Sequence, residues 1–403
     1  MFDKYMNADG VTEIRCRSFV YFGYGAINKM ADIASDFKAK GISRVLIVTT
    51  PTAYKVSGAW EPIQKALQGS GIEWVMYDKV TPNPDTDAID AATAMAREFG
   101  AGAVIGIGGG SPIDTAKSVA ILLKYPEQNG ESLFEYKFTP DKAVPIVAVN
   151  LTHGTGTEGN RMAVASILAK KYKPAIAYAC IYPTWSIDDP GLMMTLPAKQ
   201  IRYTSIDALN HVIEAATTTC TNPFAITLAR EVVAMVATYL PVALKDPKDK
   251  TARYHLAYAG LMGGVSFDNG FLHYTHALEH PLSGLRPEIT HGLGLAMLLP
   301  AVIRNIWPAR ADVLADILSP ILSGMTPDPA NAEQAARAVE KWLFSVGATS
   351  KLADEGFSES DIPELTDLVF NTPSLTALLA VAPTSADRRT VETIFRQSLR
   401  PIE

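Results

Sequence analysis

With 403 residues, the chain is too long for one ordinary hydrophobic core and points to two domains. Apolar residues at 48% and charged residues at 19% exclude a disordered chain. The formal net charge of −6, without a long run of Lys and Arg, argues against nucleic acid as a main partner, because phosphate binding needs a basic face.

Residues 1–10 carry Asp3, Lys4 and Asp9 and lack an apolar segment, unlike a secretory signal. Residues 44–50 (RVLIVTT) read as a buried strand, and residues 72–77 (IEWVMY) as another. The spacing predicts a helix over 87–99, a strand over 103–107 and a strand over 144–149. Strands separated by helices of this length imply βαβ units and a mostly parallel sheet. After Asp188-Asp189-Pro190-Gly191 the texture changes to long Ala-, Leu- and Met-rich stretches. Helical spacing recurs at 225–240, 252–263 and 332–346. The chain therefore reads as an α/β N-terminal domain, residues 1–194, and an all-α C-terminal domain, residues 195–403. The apolar run 292–303 is interrupted by Pro300 and reads as too short to span a bilayer, so no membrane is expected as partner. Cys16, Cys180 and Cys220 are odd in number and far apart. They are expected as buried free thiols of a reducing cytoplasm.

Two stretches carry chemistry. In residues 106–117 (GIGGGSPIDTAK) a glycine-rich turn follows a strand and opens a helix. Three consecutive glycines let the backbone approach a ligand, and a helix N-terminus favours a diphosphate. Ser111 is expected at the N-cap, Pro112 at the first helical position and Asp114 at the third. A plain strand-to-helix turn would look the same.

The second stretch is a set of histidines. Of seven, four lie between residues 273 and 291. Asp207 and His211 stand four apart, as do His276 and His280, which puts each pair on one helix face. His291 follows in a predicted loop. A carboxylate with imidazoles, and no thiolate nearby, suits iron, zinc or manganese. The set Asp207, His211, His276 and His291 is the candidate; His255 and His273 read as ordinary surface or core residues.

Together, GGGSPIDTAK (108–117), THGTGTE (152–158), DALNH (207–211), HALEH (276–280) and His291-Gly292 resemble the iron-containing (group III) alcohol dehydrogenases. The resemblance runs from about Tyr21 to the last helices. It implies a dehydroquinate synthase-like fold, with a Rossmann-like domain, a helical domain and a cleft between them. It implies Asp207, His211, His276 and His291 as ligands of a divalent metal, Fe2+ first and Zn2+ as alternative, and His280 as a catalytic proton relay. Gly108, Gly109, Gly110 and Ser111 match the diphosphate loop, with Asp114 behind them; Thr152 and Thr155 match residues lining the cofactor.

Three positions depart from the family pattern. Thr50 stands where many NAD-specific members carry Asp, so NAD is expected with NADP left open. His153 replaces a small residue and can reach the nicotinamide or substrate, or fill space. The interval from His276 to His291 is one residue longer than in close relatives. The implied reaction is hydride transfer between NAD(P)(H) and a small alcohol or aldehyde, in a homo-oligomer. Arg161 and Arg286 raise a competing reading as reductase of a short anionic aldehyde such as sulfoacetaldehyde. A glycerol- or diol-type dehydrogenase and a non-catalytic nucleotide- and metal-binding sensor are the others.

Overall fold

In a computed structural model, the chain is described at Tyr5 and over residues 11–402. The other residues of the opening segment 1–10 lie outside this description. The N-terminal half contains β1 (Val20–Phe22), α1 (Met30–Ala39), β2 (Arg44–Thr49), α2 (Ala53–Val56), α3 (Trp60–Gly69), β3 (Glu73–Tyr77), α4 (Thr86–Phe99), β4 (Ala103–Gly108), α5 (Gly110–Leu122), α6 (Gly130–Phe134), β5 (Ile146–Asn150), β6 (Met162–Val164), β7 (Ala175–Ala177) and β8 (Trp185–Asp188). The C-terminal half is helical: α7 (Ala198–Thr217), α8 (Pro223–Lys245), α9 (Lys250–Gly270), α10 (Tyr274–Leu285), α11 (His291–Ile317), α12 (Ala332–Ser345), α13 (Ile362–Asn371), α14 (Leu375–Ala380) and α15 (Arg388–Ser398).

Six strands form one parallel sheet in the order β1-β8-β5-β4-β2-β3. Its residues alternate between two cores, as the two-residue period of a strand requires. Leu46, Val48, Val104 and Ile146 face one layer of helices; Val45, Ile47, Ile105 and Val149 face the other. The four predicted strands are all present. The short β1 and β8 complete one edge, and β6 with β7 forms a separate antiparallel pair. The order reverses between β2 and β4, so the loops after these strands flank the crevice where parallel sheets bind ligands.

The helical half has its own core. At its centre, α7 is buried almost continuously from Ser205 to Thr217. Its polar side chains there must therefore find partners among the neighbouring helices. The apolar run 292–303 interrupted by Pro300 is part of a longer helix that continues to Ile317, with a break in helical geometry at Arg310, two residues past Pro308. Proline removes one hydrogen bond and kinks a helix without necessarily ending it, and the surrounding core holds Pro300 buried. By length and composition alone, α8 and α11 could each cross a membrane, but 78% of the most apolar stretch of α11 is buried inside this core. Cys16 and Cys220 are exposed and Cys180 half-buried, so the expectation of buried thiols fails; all three are free.

Candidate metal centre and cofactor cleft

Three helices deliver the histidine cluster. Asp207 and His211 project from one face of α7, His276 from α10, and His291 from the first position of α11. The start of α11 lies hard against α7. A Cβ on Gly292 would come within 2.0 Å of the Tyr203 carbonyl oxygen, so only glycine lets His291 reach this depth.

The Nε2 atoms of His211, His276 and His291 lie 3.4, 3.6 and 3.7 Å from the same oxygen, Asp207 Oδ1. The rings of His211 and His276 stack at 4.7 Å. Asp207 Oδ1 and His276 Nε2 are shielded from solvent and have no hydrogen-bond partner among the described residues. Buried polar atoms are seldom left so. Orphaned donors of ligand chemistry aimed at one point fit a metal ion.

The outer nitrogens explain the aim. Glu214, on the same face of α7, binds His276 Nδ1 through Oε2, while its Oε1 accepts from the backbone N–H groups of Thr275 (2.6 Å) and His273 (3.2 Å). Glu279 binds His291 Nδ1 and is itself held by Ser283 Oγ (2.6 Å) and Lys173 Nζ (3.3 Å). His280 Nδ1 donates to the Lys173 carbonyl at 2.7 Å. Each acceptor fixes the proton on Nδ1 and leaves the Nε2 lone pair facing inward. Sequence reasoning missed Glu214, Glu279 and Lys173. A signal existed for the first, since Asp207, His211 and Glu214 keep the helical spacing of one face.

Charge agrees with this geometry. Burial alone would raise the Asp207 carboxyl, but His211, His276 and His291 outweigh it and hold it well below the carboxylate range. Burial lowers His276, yet Glu214 and Asp207 prevail and raise it to about 9, a demand for positive charge at that ring. With neutral imidazoles, the carboxylates of Asp207, Glu214 and Glu279 against the single ammonium of Lys173 leave two buried negative charges, the deficit that a divalent cation fills. His280 is lowered well below its usual value by burial, with the Lys173 charge adding to it.

The cofactor cleft lies at the C-terminal ends of the strands. Here α5 begins at Gly110, with Gly109 as N-cap and no side-chain cap bond. Ser111 is thus inside the first turn rather than at the N-cap, because the chain enters the helix two residues earlier than the Ser-Pro signal suggested. The glycines are needed for close approach. A Cβ on Gly109 would lie 2.8 Å from Thr152 Cγ2, and one on Gly110 would lie 2.9 Å from Thr155 Cγ2. The structure therefore brings Gly108, Gly109, Gly110, Ser111, Thr152 and Thr155 together. Thr50 stands just past β2, its Oγ1 accepting from Ala53 N–H at 3.2 Å.

Two expected cofactor residues are otherwise engaged. Asp114 is fully used inside the chain: it accepts from Thr157 Oγ1 (2.6 Å) and Val164 N–H (3.0 Å), tying α5 to β6. His153 is buried and faces the helical half, where its ring contacts Thr204, Ser205 and Arg253; it has no free nitrogen for nicotinamide or substrate. The two arginines that suggested an anionic substrate are also occupied. Arg161 pairs with Asp268 (3.1 Å), and Arg286 donates to the carbonyls of Glu355 (3.0 Å) and Gly356 (2.7 Å).

Known proteins resemble this chain over nearly its whole length. Residues 18–190 match the family model described as iron-containing alcohol dehydrogenase, and residues 201–399 the C-terminal model of the Fe-containing alcohol dehydrogenase family. A long-chain primary alcohol dehydrogenase of Thermoanaerobacter ethanolicus is 53% identical over 99% of this chain and 100% of its own. A 1,3-propanediol dehydrogenase of Klebsiella pneumoniae is 31% identical over 94% of this chain and 96% of its own. The crystal structure of an NADH-dependent butanol dehydrogenase from Thermotoga maritima superimposes with a TM-score of 0.89 at 27% identity, covering 97% of this chain and 98% of that one. The expected hydride-transfer enzyme is therefore favoured over the anionic-aldehyde, diol and sensor readings. With a nicotinamide cleft beside a divalent-metal donor set, this oxidoreductase belongs to the iron-containing alcohol dehydrogenase family.

Proposed function

We propose that this chain interconverts primary aliphatic alcohols and their aldehydes, with Asp207, His211, His276 and His291 as ligands of a divalent metal, iron foremost. The convergence of three imidazole Nε2 atoms on one unpartnered, buried Asp207 oxygen carries this reading. The aliphatic substrate class is suggested by the 53% identical long-chain primary alcohol dehydrogenase and by the pairing of Arg161 and Arg286 within the chain.

A bound divalent cation polarises a substrate oxygen and lowers an alcohol's pKa. The chain's own residues do the rest. Glu214 and Glu279 hold His276 and His291 in the Nδ1–H tautomer and so keep Nε2 for the ion. Gly108 to Ser111 and the Thr152–Thr155 loop would hold the cofactor diphosphate at the start of α5, where the free N–H groups of the first turn favour an anion. Burial and the Lys173 charge hold His280 well below its usual pKa, and with Nδ1 bonded to the Lys173 carbonyl its Nε2 is the nitrogen left to accept the alcohol proton and pass it on.

The test follows the absorbance of NADH, and separately NADPH, against unbranched aldehydes of rising chain length. Metal-free protein is reconstituted with Fe2+, with Zn2+ or with neither. Metal-dependent turnover that improves with chain length is the expected result, and the preferred nucleotide decides what Thr50 leaves open. Full activity without metal would sink the reading.

A further inference from the structure

The loop that follows β5 is tied to its own sheet by Leu151 N–H on the Gly108 carbonyl (2.8 Å) and is anchored to the helical half as well. A Cβ on Gly154 would lie 2.4 Å from the Thr204 carbonyl oxygen of α7, and one on Gly156 would lie 2.4 Å from Gly264 Cα of α9. Between these contacts sits His153. Its Nε2 is 2.8 Å from Arg253 Nη1 of α9, and a guanidinium can only donate, so Nε2 carries the lone pair and Nδ1 the proton. That proton faces Thr204 Oγ1 (3.1 Å) and Ser205 Oγ (3.2 Å) of α7. Thr204 passes its own proton to the Gln200 carbonyl (2.7 Å), which leaves its oxygen free to accept. Arg253 also donates to the Met193 carbonyl, in the segment joining the two halves of the chain.

Arg253 is a fully buried cation whose partners are a neutral imidazole and a carbonyl. Burying a charge without a carboxylate costs stability. The return for that cost is placement. His153 lies one residue from Thr152 and two from Thr155, whose side chains meet Gly109 and Gly110. Thr204 and Ser205 lie three and two residues before Asp207.

We propose that His153 and Arg253 form a clasp that sets the distance between the cofactor loop and the metal-ligand helix, and thus the hydride-transfer distance. His153 is a positioning residue in this role, its ring nitrogens being engaged by Thr204, Ser205 and Arg253. Burial and the Arg253 charge together lower the ring to about 3, so the clasp keeps its tautomer across the working pH range. The inference rests on the function proposed above.

The test compares metal-loaded full-length protein with its His153→Ala, His153→Gln and Arg253→Met variants. Four quantities are read: metal content, NADH affinity by fluorescence, kcat, and the primary isotope effect with NADH deuterated at nicotinamide C4. His153→Ala is expected to keep its metal, bind NADH at least about threefold more weakly and lower kcat about 10- to 100-fold, the scale of a misplacement near 1 Å. Its isotope effect is expected to rise as hydride transfer becomes the slow step. His153→Gln, whose amide can accept from Arg253 and donate to Thr204, falls between Ala and wild type. Arg253→Met moves the same quantities in the same direction. If His153→Ala does not fold, the Gln and Met variants carry the comparison.

A wild-type isotope effect and affinity in His153→Ala would overturn the clasp. So would Gln behaving no better than Ala. A wild-type protein that binds NADH but turns over no alcohol or aldehyde would instead overturn the proposed function. NADH affinity alone then decides the clasp, which fails if His153→Ala binds as tightly as wild type.

Discussion

At one end of the site, the histidine cluster is made by what side chains add. Asp207 draws three imidazoles inward, and Glu214 and Glu279 fix them from behind. At the other end, the glycine loop is made by what side chains omit: room for methyl groups at Gly109 and Gly110 that would collide with Thr152 and Thr155. A charge-built site fails when a charge is removed and tolerates little change in ligand chemistry. A shape-built site fails when an atom is added and can be repaired by removing an atom opposite.

The largest expected effect breaks the charge-built end. Asp207→Ala removes the oxygen on which all three Nε2 atoms converge, so bound metal disappears on elemental analysis and turnover falls at least about 1,000-fold, the loss of a few kcal/mol of transition-state stabilisation. A variant that keeps its metal and half its activity would remove Asp207 from the ligand set. Glu214→Gln is milder. The amide still occupies the space, but the His276 tautomer is no longer enforced, and metal affinity measured by chelator competition is expected to drop about 10- to 100-fold.

The shape-built end predicts a smaller effect that can be reversed. Gly109→Ala places a methyl 2.8 Å from Thr152 Cγ2, an overpacking that costs about 1–3 kcal/mol, so NADH binding weakens about tenfold or more while metal content is unchanged. Adding Thr152→Ala, which deletes both that Cγ2 and the Oγ1 lying 2.9 Å from the same Cβ, is expected to recover much of the affinity. No recovery would mean that the glycine is needed for backbone conformation and not for space.

The smallest effect concerns the clasp between the two ends. His153 is held near 3, below its ordinary 6.5, by burial and by Arg253. Between these values the unfolded chain binds the proton and the folded chain does not. The neutral ring's stability is therefore complete above about pH 6.5 and is lost as pH falls, at on the order of 1 kcal/mol per pH unit. His153→Gln cannot titrate. The stability gap between wild type and His153→Gln should accordingly narrow by that amount per unit from pH 6.5 to pH 5. A constant gap would show that the ring is charged in the folded state.

Much of this was legible in the sequence for local reasons. Residues 44–50 and 103–107 announced buried strands by composition, and Asp207 with His211 announced a shared helix face by spacing. What escaped was set by distant partners. Strands β1 and β8 are three and four residues long and pair across a separation of more than 160 residues, as in Val20 with Ser186; neither is periodic enough to stand out. Glu279 sits between two histidines in HALEH with nothing local to mark its role, because its partner Lys173 lies 106 residues away. His153, whose neighbours in sequence line the cleft, is open in sequence to three readings: reaching the nicotinamide, reaching the substrate, or filling space. Its ring turns instead to Arg253 of α9, 100 residues on, whose charge adds to burial in keeping it neutral.

The glycine seam between the loop and α9 also has a mechanical consequence. Where Gly156 meets Gly264, backbone lies on backbone with no flexible side chain between them, so neither piece can slide past the other without a clash. Elsewhere the two halves are joined by side-chain contacts, among them Arg161 with Asp268 at 3.1 Å, Lys171 with Glu364 at 2.7 Å and Asn83 Nδ2 with the Pro287 carbonyl at 2.9 Å, so the seam is the incompressible point of an interface whose other ties are made by longer, softer groups.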